Sequence, residues 1–479
     1  MGTTSTKAVA FDEAGEVVLK LSNGYTIEHP QPDWHEQDPE LIFNAVITGI
    51  NQLQTALSDK GTLQGISFSA AMHSLIAVDS DYKPLTHCII WADNRAASIA
   101  EKLRKNWKSR GKKIFENTGT PIHAMSPFTK IIWLRENAAS IFSKTAKFIG
   151  IKEYVFQKLT GECVCDEQIA SATGLLNIKT GTWDDFALKL ADIKATQLPK
   201  IVPAIYHVSF NPKNFLGTIP LNLPENISLV IGGSDGALAN LGSGAHEIGD
   251  VVVSIGTSSA IRMFTDAPYF DPAMRTFCYI IDEKRYIVGG GTNSGGYVLQ
   301  WLKENIFLNT QSFDDFYKAA TPVPPGSNDL IFLPYILGER APIWNAHARG
   351  IFFGFEAVHS QADMIRAAME GVIFHIYTIG KVLNAQQPIE KIYAGGGFAK
   401  NKDWVQILAD VFNCVVEITE TVEISAAGAV MIGREALGLS LFPSPKVITT
   451  YKPIPENNTV YMKSVEKFEK IYKANVNLF

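Results

Sequence analysis

Val251-Val252-Val253-Ser254-Ile255-Gly256-Thr257-Ser258-Ser259 decides how this chain is read, together with Gly2-Thr3-Thr4-Ser5-Thr6-Lys7 and the run Ala8-Val9-Ala10-Phe11 that follows it. Each stretch couples a β-rich run to a Gly-Thr/Ser turn. A turn of that kind offers backbone N–H groups and small hydroxyls with no bulky Cβ in the way, which is what phosphate oxygens need at close range. Two such turns far apart in one chain imply two related lobes, each gripping part of one phosphate chain. That arrangement points to phosphoryl transfer in a cleft.

Working outward, residues 2–22 read as a β-hairpin turning at Asp12-Glu13-Ala14-Gly15. Residues 38–58 read as a helix, because Asp38-Pro39-Glu40 is a start signal and Leu41, Ile42, Ala45, Val46 and Ile50 recur at helical spacing. Strands are expected at 65–70, 74–78 and 226–232, and helices at 93–109, 127–143 and from 237. A second half begins near His246, with strands at 251–255, 262–264, 277–281 and 286–288. Its helices are expected at 294–306, 313–320, 360–384, 401–412 and 424–437. The segment 443–455 reads as irregular, and a last helix is expected near 460–474. Strands before helices in both halves argue α/β architecture, with domains at 1–245 and 246–479.

Bulk properties exclude several classes. A chain of 479 residues is too long for one core. Its 46% hydrophobic and 19% charged residues are ordinary for a globular protein. A net charge of −5 gives no basic footprint for nucleic acid or an anionic membrane. No apolar run approaches the ~20 residues a membrane helix needs, and the N-terminus lacks the basic and apolar regions of a signal peptide. Cys88, Cys163, Cys165, Cys278 and Cys414 include no zinc spacing, so unpaired thiols in a reducing cytoplasm are expected.

No Walker P-loop and no G-x-G-x-x-G pattern is present, so a nucleotide site must use other glycine turns. Four qualify: Gly2-Thr3-Thr4, Gly256-Thr257, Gly289–Gly296 and Gly395-Gly396-Gly397. Gly395-Gly396-Gly397 follows the strand-like Ile392-Tyr393-Ala394 and would let backbone approach an adenine or an α-phosphate; it also reads as a tight strand-to-helix connection. Asp235, between glycines just after a strand, is either a turn residue or a carboxylate that takes the proton from an attacking hydroxyl. Met72-His73-Ser74 and Trp91-Ala92-Asp93-Asn94-Arg95 mix aromatic, carboxylate, imidazole and guanidinium groups suited to a polyol. Arg95 also has the fork to meet a substrate carboxylate. Against these stand a satisfied core histidine at 73 and a packing tryptophan at 91.

Taken together, the motifs resemble one family, the FGGY carbohydrate kinases. Met125-Ser126-Pro127-Phe128-Thr129-Lys130-Ile131-Ile132-Trp133-Leu134-Arg135-Glu136-Asn137 is similar to the family's first signature. Gly350-Ile351-Phe352-Phe353-Gly354-Phe355, running on through Asp363-Met364 to Ala367-Ala368-Met369-Glu370, resembles the second, with Phe355 where an aliphatic residue is usual. The resemblance implies two ribonuclease-H-like domains of the actin/hexokinase type around a central cleft, the first binding sugar and the second nucleotide. It also implies ATP and Mg²⁺, with Asp235 as general base. Thr3, Thr4 and Lys7 fall on the first phosphate loop and Gly256 and Thr257 on the second; Gly296, Gln300 and Gly396 fall on nucleotide contacts. Where relatives often place an Asn beside the adenosine, this chain has Lys400 followed by Asn401. Met72, His73 and Met125 fall at substrate-facing positions.

Met72-His73-Ser74-Leu75, Trp91-Ala92-Asp93-Asn94-Arg95 and Gly119-Thr120-Pro121-Ile122-His123 look most like the gluconate kinases, and xylulose kinases usually carry Met-His-Gly at the first of these. Gluconate is an anion that Arg95, His123 and Lys130 are able to balance; both Arg95 and Lys130 also belong to motifs shared by relatives with neutral substrates. The implied reaction phosphorylates the C6 hydroxyl of gluconate, with domain closure excluding water. The rivals are a kinase for xylulose or another sugar, a catalytically dead sugar-binding protein, and a chaperone-like ATPase. A homodimer is the oligomer the resemblance implies. The family pattern opens with an apolar strand ending in Asp-x-Gly-Thr, whereas Gly2 is preceded here only by Met1, so that strand and its carboxylate are expected to be missing.

Overall fold

A computed structural model of the chain describes residues 1–106, 110–245, 247–308, 310–420, 423–442 and 445–479. It divides into two units. Unit 1 comprises Met1–Gly242, Cys278–Tyr286 and Thr421–Ser444; unit 2 comprises Ser243–Phe277, Ile287–Glu420 and Pro445–Phe479.

In unit 1 the expected hairpin forms from strands Ser5–Phe11 and Val17–Gly24, paired antiparallel. Asp12 Oδ1 accepts the backbone N–H of Ala14 and of Glu16, each at 2.9 Å, which closes the turn as an Asx motif. The helix Pro39–Ala56 starts where Asp38 caps it, its side chain accepting from Glu40 N. Ile42, Phe43, Val46, Ile47 and Ile50 face the core, while Leu41, placed on the apolar stripe from its spacing, is exposed. The central sheet orders the strands His207–Ser209, Ser228–Ser234 and Gly65–Ala70, the last two parallel. Phe43, Ile47, Phe68, Phe156, Leu229 and Ile231 form the core around it.

Unit 2 is built on a larger sheet in which Tyr286–Thr292, Ser259–Thr265, Asp250–Ile255, Lys391–Gly395, Val416–Thr419 and Val447–Tyr451 are successive neighbours. Asp250–Ile255 runs antiparallel to Ser259–Thr265 and parallel to Lys391–Gly395. The long helix Gln361–Gln386 covers it with Ile365, Met369, Val372, Ile373, Ile376 and Ile379 buried. Gly371 lets that helix touch the strand Ile331–Leu333, since a Cβ there would lie 2.3 Å from the Phe332 carbonyl oxygen.

Several expectations need correction. The helix expected at 93–109 spans Ala97–Lys105 among the described residues, because Asp93 caps a turn before it; 107–109 lie outside those residues, as does His246. The helix expected at 127–143 breaks at Ala138 (φ −139°, ψ 50°) into Pro127–Asn137 and Ala139–Lys144. The strand expected at 74–78 is Ile76–Val78, paired with Lys147–Ile149, while Leu75 before it exchanges its backbone bonds with Ile89 as an isolated bridge. Residues 443–455 contain the strand Val447–Tyr451, an edge strand whose exposed side chains left no alternating pattern to read. Helix Gly296–Trp301 continues as a π-helical turn through Ile306, and the last helix begins earlier than expected, at Pro455.

Candidate active site

The parallel pair of unit 1 sets the position of Asp235. Ser234 pairs with Ala70 across the two strands, so Asp235 and Ala71-Met72 leave the sheet side by side at its carboxyl end, where ligands bind in α/β sheets. Gly232 (φ +63°) makes the register shift that brings them together; a Cβ there would sit 1.9 Å from the Phe68 carbonyl oxygen. The amide of buried Gln168 holds the junction, its Oε1 accepting the Ser234 N–H at 3.1 Å and its Nε2 donating to the Ile281 carbonyl at 3.0 Å. Asp235 begins the helix Asp235–Gly242; its Oδ1 accepts the Gly236 N–H, and its carbonyl accepts from Ser425 Oγ.

Thr3 joins this end of the sheet. Its Oγ1 accepts from Trp91 Nε1 at 3.0 Å and its carbonyl from Gln37 Nε2 at 2.6 Å. Gly2, Thr3, Met72, Ile90 and Trp91 line one pocket in unit 1. Thr4 is exposed and its carbonyl accepts from Tyr25 N. Lys7 does not turn back to that loop: its ammonium, with that of Lys20, binds the carboxylate of Glu423. Burial alone would raise the Glu423 carboxyl, but these two lysines hold it below the usual range.

His73 is buried with φ +69°, and its Nδ1 lies 2.9 Å from the Ala172 carbonyl, so Nδ1 carries the proton and donates. His123 has the opposite tautomer, because its Nδ1 accepts the Met125 N–H at 3.2 Å. Met125 is buried beside it at the entry to the helix Pro127–Asn137. Lys130 of that helix is fully buried and its ammonium donates to the carbonyls of His73, Ile89 and Ile90; burial pushes the amine down to about 7. It shapes the His73 loop from below.

Arg95 is also engaged. Its guanidinium donates to both carboxylate oxygens of fully buried Asp93, at 2.9 Å each, and to Glu36 at 2.5 Å, and stacks 3.9 Å from the Trp34 ring centroid. Asp93 accepts the His35 N–H as well. Both residues thus support the loop that carries Trp91.

In unit 2 a second set of expected residues converges. Ser254 pairs with Gly395 in the parallel pair, so Gly256 and Gly396 leave neighbouring strand ends. Gly396 (φ +93°) lies against Ile255, where a Cβ would be 2.4 Å from its carbonyl oxygen. Gly296 N donates to the Gly256 carbonyl at 2.7 Å and Tyr297 N to the Thr257 carbonyl at 3.2 Å. Gly256 itself has no packing reason to be glycine: a Cβ there would meet nothing within 4 Å, as at Gly397. Gln300 is exposed and its amide bonds Glu304. Lys400 is exposed, and Asn401 caps the helix Lys402–Phe412 through Trp404 N.

Gln168, which holds the Asp235 junction, and Glu339, whose carboxylate accepts from Asn293 N and Ser294 Oγ, are two residues of the candidate site that pattern reading missed. Glu339 sits in Gly338-Glu339-Arg340-Ala341-Pro342, a charged pair before a proline, which is a weak signal; a helical glutamine such as Gln168 gives none.

Strand-end glycine turns and a carboxylate at a strand-to-helix junction are the features a phosphoryl-transfer enzyme needs. The N-terminal domain of the FGGY family of carbohydrate kinases matches residues 1–242 and its C-terminal domain residues 251–437. The chain belongs to that family and has its two-domain α/β fold. It is 42% identical over 449 residues to the gluconokinase of Bacillus subtilis (strain 168), covering 91% of this chain and 86% of that protein. The crystal structure of gluconate kinase from Lactobacillus acidophilus superposes with a TM-score of 0.94 at 36% identity, covering 99% of this chain and 96% of that one. The ligand-bound xylulose kinase from Lactobacillus acidophilus gives 0.95 at 36% identity, covering 99% and 97%. Among the described residues, no helix is long and apolar enough to cross a membrane.

Proposed function

We propose that the chain transfers the γ-phosphoryl group of ATP to the C6 hydroxyl of D-gluconate, giving 6-phospho-D-gluconate. Unit 1 takes the sugar acid and unit 2 the nucleotide. The observation that carries the reading is the Ser234–Ala70 register, which sets Asp235 beside Met72-His73 at the carboxyl end of a parallel pair. Asp235 accepts the proton of the attacking hydroxyl. His73, anchored by its Nδ1–H donating to the Ala172 carbonyl, fixes the loop that carries Met72 beside Asp235. His123 carries its proton on Nε2 and meets the substrate carboxylate with it. The Gly256-Thr257 turn receives the phosphates, in the open space a side chain at position 256 would fill, while the Gly296 N–H braces that turn through the Gly256 carbonyl.

Mg²⁺ comes with ATP and, when bound, offsets the charge of the phosphate oxygens. Among the described residues, the one grouping of three side chains at metal spacing is Glu153, Cys165 and Asp166. Lys152 Nζ lies 2.5 Å from Asp166 there, so a cation is already supplied, and we assign the Mg²⁺ to the nucleotide's own oxygens.

A xylulose kinase is the second reading. It is favoured by the engagement of Arg95 and Lys130, the two strongest cations expected to face a sugar acid, with protein acceptors. A coupled ADP-release assay over sugar acids and ketoses decides between them. Gluconate is expected to be turned over in preference to xylulose, and the reverse order assigns the second substrate. Asp235→Asn is expected to lower turnover by about 10²–10⁴ while calorimetric ATP binding survives; undiminished turnover by this variant removes the base.

A further inference from the structure

We propose that Glu339 is a positioning residue for the nucleotide turns of unit 2. The proposal rests on the reading that the Gly256–Ser258 and Thr292–Gly296 turns receive ATP.

Glu339 is 1% exposed and touches four donors. Its Oε1 accepts the N–H of Asn293 at 2.6 Å and of Arg340 at 2.7 Å. Its Oε2 accepts Ser294 Oγ at 2.6 Å and faces His375 Nε2 at 3.2 Å. Four donors around one group leave no place for a side chain that itself carries N–H protons, so only a carboxylate satisfies them all. His375 also directs Nε2 to the Ala341 carbonyl at 3.0 Å, and its Nδ1 meets the Tyr335 hydroxyl at 3.3 Å. Burial alone would raise the Glu339 carboxyl; His375 and the donors hold it below its ordinary value, and it stays charged.

The carboxylate acts through Ser294. That residue's carbonyl accepts from Ser259 Oγ at 2.6 Å and from Thr292 Oγ1 at 2.8 Å. Arg340 clamps the same turn from outside, donating to Asn293 Oδ1 and to the Thr292 carbonyl. The next two residues are Gly295, where a Cβ would lie 2.7 Å from the Ser258 carbonyl carbon, and Gly296, whose N–H binds the Gly256 carbonyl. A shift of Ser294 is therefore passed directly to the backbone of Gly256 and Thr257. Two of its four donors, the Asn293 N–H and the Ser294 hydroxyl, belong to this turn.

The test uses the full chain and titrates ADP, ATP and gluconate separately into wild type, Glu339→Gln and Ser294→Ala, with thermal unfolding recorded for each. In Glu339→Gln the new amide confronts Ser294 and His375. Nucleotide dissociation constants are expected to rise on the order of ten-fold or more, with gluconate affinity within about two-fold. Ser294→Ala removes the hydroxyl that links Glu339 to the turn, together with its longer contact of 3.1 Å to the Pro334 carbonyl, and is expected to give the same split if Glu339→Gln does not fold. Unchanged nucleotide affinity in the folded variants, or an equal loss for nucleotide and gluconate, overturns the proposal. Wild type that binds gluconate and neither nucleotide overturns the nucleotide reading itself, and the positioning role with it.

Discussion

The guanidinium of Arg95 has both oxygens of Asp93 and one of Glu36 within hydrogen-bond distance and the ring of Trp34 beneath it, and its side chain is 3% exposed. Removing it leaves Asp93 as an uncompensated carboxylate in the core, a loss of about 3–5 kcal/mol for buried pairs. Arg95→Ala is therefore expected to lower the urea midpoint strongly, with any rise in the KM for gluconate following from a displaced Trp91. If unfolding is unchanged while that KM alone rises, Arg95 contacts the substrate and its pair with Asp93 is incidental. The i, i+2 spacing of Asp93 and Arg95 was legible in the sequence, and so was their charge. The third partner, Glu36, was not, because contact between residues so far apart in the chain is made by tertiary folding and leaves no periodic trace. Lys130 follows the same rule: its signature was readable, yet the three carbonyls it binds are backbone atoms that any sequence would supply.

The helix Asp235–Gly242 owes its placement to a crossing with the helix Ile424–Ala436. A Cβ on Gly428 would lie 2.0 Å from the Leu238 carbonyl oxygen, and one on Gly242 2.0 Å from that of Ile424, so the backbones meet at glycines. In an exposed helix, Gly→Ala gains up to about 1 kcal/mol from propensity. Here forcing backbones apart costs about 1–3 kcal/mol or more, and the crowding wins. Gly428→Ala is expected to destabilise the chain and lower turnover, because the Asp235 helix has to move. Gly433→Ala in the same helix would put its Cβ 3.1 Å from the Ser67 Cβ, a contact that a few tenths of an ångström relieve, and is expected to cost far less. Equal effects in chemical denaturation would refute the crossing as the cause. At this scale much of the fold was readable: the first hairpin, the capped helix at Pro39 and the glycine-ended strands follow from caps and alternation. Helix Ile151–Thr160 went unread because all but one of its ten residues are buried and no amphipathic stripe survives.

Unit 1 is assembled from three separated stretches, the last of which brings the helix Ile424–Ala436 and Glu423 back to it. Lys7 and Lys20 of the first hairpin both close on Glu423, and Leu437 reaches Gly65, where a Cβ would lie 2.9 Å from its Cδ1. Leu238 and Leu241 on one side of the helix crossing and Ile432 on the other are buried. Burying a Leu or Ile side chain contributes about 1.5–3 kcal/mol, and a whole domain is stable by only about 5–15 kcal/mol. Losing one side of that crossing removes a large part of the total. A fragment comprising residues 1–245 is therefore expected to lack a cooperative thermal transition and to be cleaved rapidly by protease, although it carries Asp235 and every expected sugar-facing residue. Joining residues 421–444 to its end through a flexible linker restores the missing helix, and a heat-capacity peak with slower proteolysis is expected to return. A fragment 1–245 that unfolds cooperatively without the added helix would mean that the returning segment decorates the unit and does not complete it.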